Sequence, residues 1–201
     1  MSEPKAPILD HPVHELIAGR WSPYVFDDRA VERSDLRGLF EAARWAPSSY
    51  NEQPWRFLVA TRNEPREFER LLSCLVEGNR TWARHAPVLA LGMASLRFAR
   101  NGKPNKAALH DLGLAAANLS LEATARGLAV HQMGGIEPET ARELYEIPEG
   151  FEVLTALAIG YAGVPAGDLG ERDRAPRSRK PLAELVFSGR FGTPSPELGR
   201  R

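Results

Sequence analysis

The stretch from Asn105 to Arg126 places the strongest constraint on what this chain can fold into. Alanine, leucine and glycine occupy nearly every side of its helical projection, and Gly127 follows directly. A helix that is apolar on most faces has to be buried, so the sequence predicts a long central helix with other elements packed around it. Its small side chains also let a second helix approach closely, either within the subunit or across a dimer.

Strands and further helices are predicted on both sides of this central helix. The run 86–94 is uniformly apolar, which is typical of a strand buried on both faces, and other strands are predicted over 56–60, 128–133 and 153–161. Helices are predicted over 11–18, over 34–45, from Pro65 to a closing Gly78-Asn79 pair, from Pro138 and over 181–187. These elements follow no strict βαβ order, which favours the α+β class. We expect a flexible leader over 1–10, a single domain over 11–188 and a flexible tail over 189–201.

Bulk composition excludes several classes of protein. The 201 residues carry a formal net charge of +0, so no overall field attracts nucleic acid or an anionic membrane. Cys74 is the single cysteine, which rules out an internal disulfide framework and fits a reducing, cytoplasmic compartment. The sequence shows neither a signal peptide nor an apolar run of the roughly twenty residues that a membrane span needs.

The stretch from Ala46 to Trp55 joins an amphipathic run to a predicted strand. Pro47 and Pro54 restrict the backbone at both ends. The side chains between them include four neutral hydrogen-bonding groups: Ser48, Ser49, Asn51 and Gln53. A rigid neutral loop suits a flat heteroaromatic ring with several hydrogen-bonding edges, and it suits a metal poorly. The alternative is a plain helix-to-strand connection built of turn residues.

Two arginine-containing pairs indicate phosphate binding. Arg20 and Ser22 stand two apart on a predicted extended segment, so their side chains point the same way. Arg177 and Arg179 repeat this spacing, and guanidinium and hydroxyl groups together can hold a phosphate. The alternatives are solvated surface arginines or, for the basic run 172–180, a nucleic-acid patch, although that run lacks interleaved aromatic residues.

The remaining motifs narrow the kind of site. Gly134-Gly135 follows a predicted strand, where glycine lets the backbone approach a ligand closely; an ordinary strand-ending turn is the alternative. Neither a dinucleotide fingerprint nor a P-loop is present. The histidines show no metal-ligand spacing, and no catalytic triad or paired carboxylates are visible. We therefore predict no metal site and name no catalytic side chain.

In combination and in order, these motifs resemble the FMN-dependent nitroreductase family over about residues 16–186. The motifs that carry the resemblance are 20–23 (RWSP), 42–55 (AARWAPSSYNEQPW), 86–89 (APVL), 133–135 (MGG) and 177–181 (RSRKP). The resemblance implies a central mixed β-sheet flanked by helices in an intertwined homodimer, with two FMN sites at the subunit interface that each draw on both subunits.

The resemblance also implies roles for individual residues. The phosphate and ribityl end of FMN is assigned to Arg20, Ser22, Arg177 and Arg179, and Trp21 is assigned to the cofactor without a particular part of it. The flavin ring is assigned to Pro47, Ser48, Ser49 and Asn51 of the partner subunit, to Asn79 at the pyrimidine edge, and to Gln132, Met133, Gly134 and Gly135 along the ring. Tyr24 stands at a flavin-binding position where many members carry Arg or Lys, so a lower flavin potential is expected.

The implied activity is that of an NAD(P)H-dependent flavin oxidoreductase. NAD(P)H reduces the flavin and leaves, and a nitroaromatic, quinone or activated alkene then takes the electrons in a ping-pong cycle. The alternatives are an oxygen-using flavin fragmentase or a dehalogenase on the same fold, and a non-catalytic flavin-binding or storage protein. No nucleic acid or membrane partner is expected.

Overall fold

The computed structural model describes residues 6–198. It contains four strands: β1 Trp55–Thr61, β2 Val88–Ser95, β3 Ala129–Met133 and β4 Phe151–Gly160. Its α-helices are α1 Glu15–Gly19, α2 Arg33–Arg44, α3 Pro65–Leu72, α4 Glu77–Ala83, α5 Ala108–Ala125, α6 Pro138–Leu144 and α7 Gly167–Arg174. Short 3-10 turns lie at Ser49–Asn51, Leu182–Glu184 and Pro196–Leu198. The α+β class predicted from the sequence is confirmed.

The sheet differs from the predicted mixed sheet. The strands are ordered β1-β2-β4-β3, and each neighbouring pair is antiparallel. The difference arises because side-chain pattern reports how deeply a strand is buried, whereas strand direction depends on the connections between strands. Here β1 and β2 pair antiparallel although α3 and α4 separate them in the chain.

Two hydrophobic clusters cover the two faces of the sheet. Alternate residues of β2 belong to different clusters: Val88 and Ala90 pack with α2 and α5, whereas Leu89 and Leu91 pack with α3 and α4. This period of two is what a strand with both faces covered requires. The central helix predicted over 105–126 is confirmed as α5, and its inward face is completely buried.

The helix predicted to end at Gly78-Asn79 is wrong in its boundary. Helix α3 ends at Leu72, and Asn79 lies inside the separate helix α4. The break occurs because Leu75 pairs with Ile136, and the Glu137 amide donates to the Cys74 carbonyl at 2.7 Å. Only this tertiary pairing interrupts an otherwise helical stretch.

Smaller differences concern the ends of the chain. The basic run 172–180 is not all loop, because Arg172 belongs to α7. The helix predicted over 181–187 is a short 3-10 turn. In the leader, the Ile8 amide donates to the Arg177 carbonyl at 3.1 Å, which ties the two ends of the domain together. Residues 1–5 and 199–201 of the predicted leader and tail lie outside the described residues.

The described residues contain neither a membrane-spanning helix nor a metal-binding cluster. Within 6–198, no helix has the length and apolar character required to cross a membrane. The same residues contain no group of three or more His, Cys, Asp or Glu side chains arranged to hold a metal ion. Cys74 is buried, and burial raises the pKa of its thiol, so it is held as an unreactive thiol.

Candidate functional site: an arginine cluster and a glycine turn

Three arginines from opposite ends of the chain meet in one cluster: Arg20, Arg177 and Arg179. Burial, followed by the charge of Arg179, lowers the pKa of Arg20, and burial followed by its two arginine neighbours lowers that of Arg177. Within 6–198, neither Arg20 nor Arg179 has a carboxylate within salt-bridge distance. Mutually repelling, partly desolvated cations are stabilised by a bound anion. We call this group the arginine cluster.

The arginine cluster is held in place largely by backbone atoms. Arg177 donates from Nη1 to the Arg20 carbonyl and from Nη2 to the Ala18 carbonyl, both at 2.6 Å. Arg20 Nη1 donates to Ser22 Oγ at 3.2 Å, which confirms that these two side chains point the same way. The cluster lines a cavity of about 190 Å³ whose other walls are mainly apolar. Three guanidinium groups beside a small cavity, one of them bonded to the Ser22 hydroxyl, are suited to a phosphate monoester.

A buried carboxylate orients the segment that follows Ser22. Asp173 Oδ1 and Oδ2 accept hydrogen bonds from the Tyr24 amide at 2.9 and 3.1 Å, and Oδ2 accepts another from the Val25 amide at 2.9 Å. Asp173 is one of the few buried charged residues of the chain. The segment after β4 therefore grips the N-terminal segment at two places, through Asp173 and through Arg177.

An aromatic wall leads away from the arginine cluster. His131 and Trp82 lie 4.4 Å apart between ring centroids, and Tyr24 makes edge contacts with both, at 4.7 and 5.1 Å. His131 Nδ1 lies 2.8 Å from the Pro23 carbonyl, which assigns the proton to Nδ1. Burial lowers the pKa of His131 and keeps the ring neutral. Arg172 lies 5.4 Å from the Tyr24 ring centroid.

The wall ends at the glycine turn that follows β3. Asn79 Nδ2 donates to the Gly135 carbonyl at 2.9 Å, so the structure brings these two predicted residues together. A Cβ at Gly135 would lie 2.5 Å from Asn79 Nδ2, which only glycine avoids, whereas the space around Gly134 is open. Gly134 and Gly135 are three and four residues beyond His131, a span of roughly 10–13 Å along the chain.

The side chains of three other predicted site residues, Gln132, Met133 and Trp21, contact the interior of the protein. Gln132 points to the opposite face of β3, where its Nε2 donates to Ser120 Oγ at 3.0 Å. Met133 is buried in the core beside α6, and Trp21 is buried. The contact of these three residues with a cofactor stays a prediction. For Gln132 and Met133, that contact would be made by backbone atoms.

The loop 46–55, which we call the motif loop, is rigid. Three non-glycine residues adopt left-handed backbone conformations in it: Tyr50, Asn51 and Gln53, with φ of 54°, 54° and 53°. The Gln53 amide donates to Ser48 Oγ at 3.0 Å, and the Ser49 amide donates to Asp111 Oδ2 at 3.0 Å. Such backbone strain persists only where surrounding contacts enforce it, and it is concentrated at functional sites. Pro47 and Asn51 are exposed.

The motif loop and the arginine cluster lie at opposite ends of α5. Asp111, near the start of α5, holds Ser49, whereas Thr124, near its end, lies against Gly19. Thirteen residues of helix separate these two contacts, a rise of about 20 Å. The motif loop of one subunit therefore does not complete the cavity of the same subunit.

Four residues of the site were missed by the sequence reasoning: Trp82, Asp111, His131 and Asp173. Asp111 interrupts the apolar pattern of the central helix, and this was an available signal for a buried polar role. Trp82, His131 and Asp173 follow no motif, because their contacts are with residues at least 49 positions away. Their roles arise from the tertiary structure alone.

The structure thus combines an α+β fold with a cluster of three arginines beside a small cavity. A model of the nitroreductase family matches residues 17–161. The chain therefore belongs to the nitroreductase family, and the resemblance seen in the motifs is confirmed.

Individual relatives agree with this assignment. A putative NADH dehydrogenase/NAD(P)H nitroreductase of Streptomyces coelicolor is 32% identical over 165 residues, which is 72% of this chain and 81% of the relative. A crystal structure described as an oxidoreductase containing FMN has a TM-score of 0.87 and 34% identity over 96% of this chain and all of its own. A putative nitroreductase of Desulfovibrio desulfuricans in complex with FMN has a TM-score of 0.69 and 30% identity, covering 91% and 99% of the chains.

Proposed function

We propose that this protein is an FMN-dependent oxidoreductase that uses NAD(P)H to reduce nitroaromatics, quinones or activated alkenes. The observation that carries the proposal is the arginine cluster, whose cations lie at one end of a wall that leads to the glycine turn. FMN has a single phosphate at one end and a flat ring at the other, and it is the cofactor bound by the two solved relatives.

Each part of the site has a role in this proposal. Arg20, Ser22, Arg177 and Arg179 bind the phosphate. Asn79 and the backbone of 132–135 bind the ring edges, and the open space beside Gly134 lets the ring approach the chain. The aromatic wall of Tyr24, Trp82 and His131 excludes water between these two ends.

The chain itself binds and orients, and it contributes no acid–base pair. When bound, FMN supplies the two-electron chemistry that links NAD(P)H to an acceptor. His131 stays neutral because it is buried, and it donates its Nδ1 proton to the Pro23 carbonyl, so it acts on the position of the N-terminal segment.

We further propose a homodimer in which the partner's motif loop completes each site. The support is the separation of about 20 Å between the motif loop and the arginine cluster of one subunit. The outward face of α5 is also suited to close contact, since Gly113, Leu114, Ala117 and Leu121 are exposed or half-buried there. Trp45, which directly precedes the motif loop, is 72% exposed, which leaves an aromatic surface for the partner.

A cytoplasmic location belongs to the proposal as well. It rests on the single cysteine of the chain, which is buried as a thiol.

The decisive experiment is release and identification of the cofactor. Purified protein should be yellow, and denaturation should release FMN and no FAD. Steady-state assays with NADH and NADPH, using a quinone and a nitroaromatic as acceptors, should then show turnover. A colourless protein that takes up no added FMN contradicts the proposal, and a flavin-loaded protein without turnover supports a binding or storage role.

A further inference from the structure

The loop between β2 and α5 is strongly basic. Residues 96–107 contain four cations, Arg97, Arg100, Lys103 and Lys106, and no acidic residue occurs from Ser95 to His110. We call these residues the β2–α5 loop. The chain as a whole is electrically neutral, so this is a local concentration of positive charge. Such a concentration attracts anionic groups of small ligands.

This loop packs directly on the motif loop. The Ala99 amide donates to Glu52 Oε1 at 2.6 Å. The Phe98 ring makes an edge contact with the Tyr50 ring, with centroids 5.8 Å apart. The Arg100 guanidinium carbon lies 4.3 Å from the Tyr50 centroid and 5.3 Å from that of Phe98. The two rings therefore form a platform for one guanidinium group.

Arg100 differs from the other cations of the loop in what it contacts. Arg97 has a structural role, because its Nη1 donates to the Gly102 carbonyl at 2.9 Å. Within 6–198, Arg100 has ring contacts but no ion pair and no hydrogen bond. Its planar fork of donors is thus held by two aromatic rings and remains available to a phosphate.

Tyr50 connects this cation to the proposed cofactor site. It lies between Ser49 and Asn51, which the proposed function assigns to the flavin ring of the partner subunit. Its backbone is left-handed, a conformation that costs a β-carbon-bearing residue of order 1 kcal/mol or more, and its side chain is 76% exposed. The exposed Tyr50 ring contacts Phe98 and Arg100.

We propose that Arg100, on the Tyr50–Phe98 platform, binds the pyrophosphate of the reduced nicotinamide dinucleotide. This inference rests on the proposed function, because it requires a flavin ring beside Ser49 and Asn51. The β2–α5 loop packs on the motif loop, so its positive charge lies beside the residues assigned to that ring. Arginine binds phosphate through two parallel hydrogen bonds, which lysine cannot reproduce.

The test is a comparison of R100Q with wild-type holoenzyme. The KM for NADH and for NADPH should rise roughly tenfold in R100Q, the scale of one charged hydrogen bond, while kcat at saturating donor is unchanged. R100K should give an intermediate KM. The uncharged donor 1-benzyl-1,4-dihydronicotinamide should react equally with both proteins. The wild-type KM for NADH should also rise with NaCl more steeply than that of R100Q.

R29Q is the matched control. Arg29 also lies over a tyrosine, with its guanidinium carbon 3.1 Å from the Tyr161 centroid, and it is not part of the proposed site. R29Q should keep the wild-type KM. FMN content and thermal midpoint of R100Q should equal those of wild type, since Arg100 is exposed.

The outcomes separate this inference from the proposed function. An unchanged KM for NADH and NADPH in R100Q overturns the inference, and so does an equal loss with the uncharged donor. A KM that rises only for a sulfonated quinone assigns Arg100 to an anionic acceptor and likewise overturns it. Wild-type protein that lacks FMN or does not oxidise NAD(P)H overturns the proposed function itself.

Discussion

At the scale of single residues, buried polar groups organise the site more than the exposed motif residues do. Asp173 holds two consecutive amides, and Arg177 holds two carbonyls of the segment from Ala18 to Val25. Both act on backbone atoms, so their partners can be any residue type. For this reason, no sequence motif predicted the role of Asp173.

Replacing Asp173 tests its role in positioning Arg20 and Ser22. D173N keeps the shape but turns one charged acceptor into a donor, so it should destabilise the protein by about 1.5–3 kcal/mol and weaken FMN binding. Riboflavin, which lacks the phosphate, should lose less affinity than FMN. D168N, at an exposed aspartate of the same helix, is the control. Equal losses for FMN and riboflavin contradict the positioning role.

His131 gives the folded protein a dependence on pH. Burial lowers its pKa below the unfolded value of 6.5, so the unfolded chain binds a proton that the folded chain does not. Stability is therefore fully present above pH 6.5 and falls as the pH drops below it, by at most about 1.4 kcal/mol per pH unit.

The variant H131Q should show a shallower loss of unfolding free energy on acidification from pH 7 to pH 5. Denaturant unfolding at a series of pH values measures this slope, and H11Q, which removes an exposed imidazole, is the comparison variant. Identical slopes for wild type and H131Q place the acid sensitivity elsewhere.

At the scale of elements, α5 decides the geometry of the site. Its inward face fills the core, its first turn holds the motif loop through Asp111, and its last turns support the segment that begins at Gly19. A rigid helix of 18 residues thus keeps two binding segments apart. The pairing of 74–76 with 135–137 also shapes the site, because it places Asn79 beside the glycine turn.

A charge on the outward face of α5 tests the proposed subunit contact. A117K should lower both dimerisation and FMN content, because Ala117 is exposed in one subunit and lies in the middle of the outward face of α5. A125K, at the exposed end of the same helix, is the control, since a cation near a helix C-terminus is favourable. Sedimentation and flavin absorbance measure the two effects. A dimeric, flavin-loaded A117K protein contradicts the assignment of this face.

At the scale of the whole molecule, the segment 8–20 and the segment around Arg177 are joined at the arginine cluster. Residues near Ile8, Arg20 and Arg177 meet there, and the cluster stores electrostatic repulsion when no anion is bound. Stability and cofactor binding are therefore linked, since a ligand that binds only the folded state stabilises it.

Removal of FMN should consequently lower the thermal midpoint. Inorganic phosphate should restore part of that loss in the apoprotein, and chloride at matched ionic strength should restore less, because phosphate makes directed hydrogen bonds with guanidinium groups. The variant R179Q should reduce this difference between phosphate and chloride. Equal effects of the two anions on wild-type apoprotein contradict an anion site at the arginine cluster.

The sequence predicted those parts of the candidate site that depend on local backbone, and not the contacts between distant residues. Local motifs were sufficient for the motif loop, the arginine pairs and the glycine turn, because prolines, glycines and residue spacing act on the nearby backbone. Tyr24 was predicted to meet the flavin, but the structure packs its ring against Trp82 and His131; the lower flavin potential stays a prediction. Such ring contacts join residues more than 50 positions apart, and no local pattern reports them.

The sequence by itself determined the α+β class, the buried central helix, the strand positions and the family, since burial pattern and short motifs are properties of neighbouring residues. Only the tertiary structure decided the antiparallel direction of the sheet, the separate helix α4, the clamp at Asp173 and the distance between motif loop and arginine cluster. Each of these depends on which distant segments pair, and pairing is chosen by the packing of the whole chain.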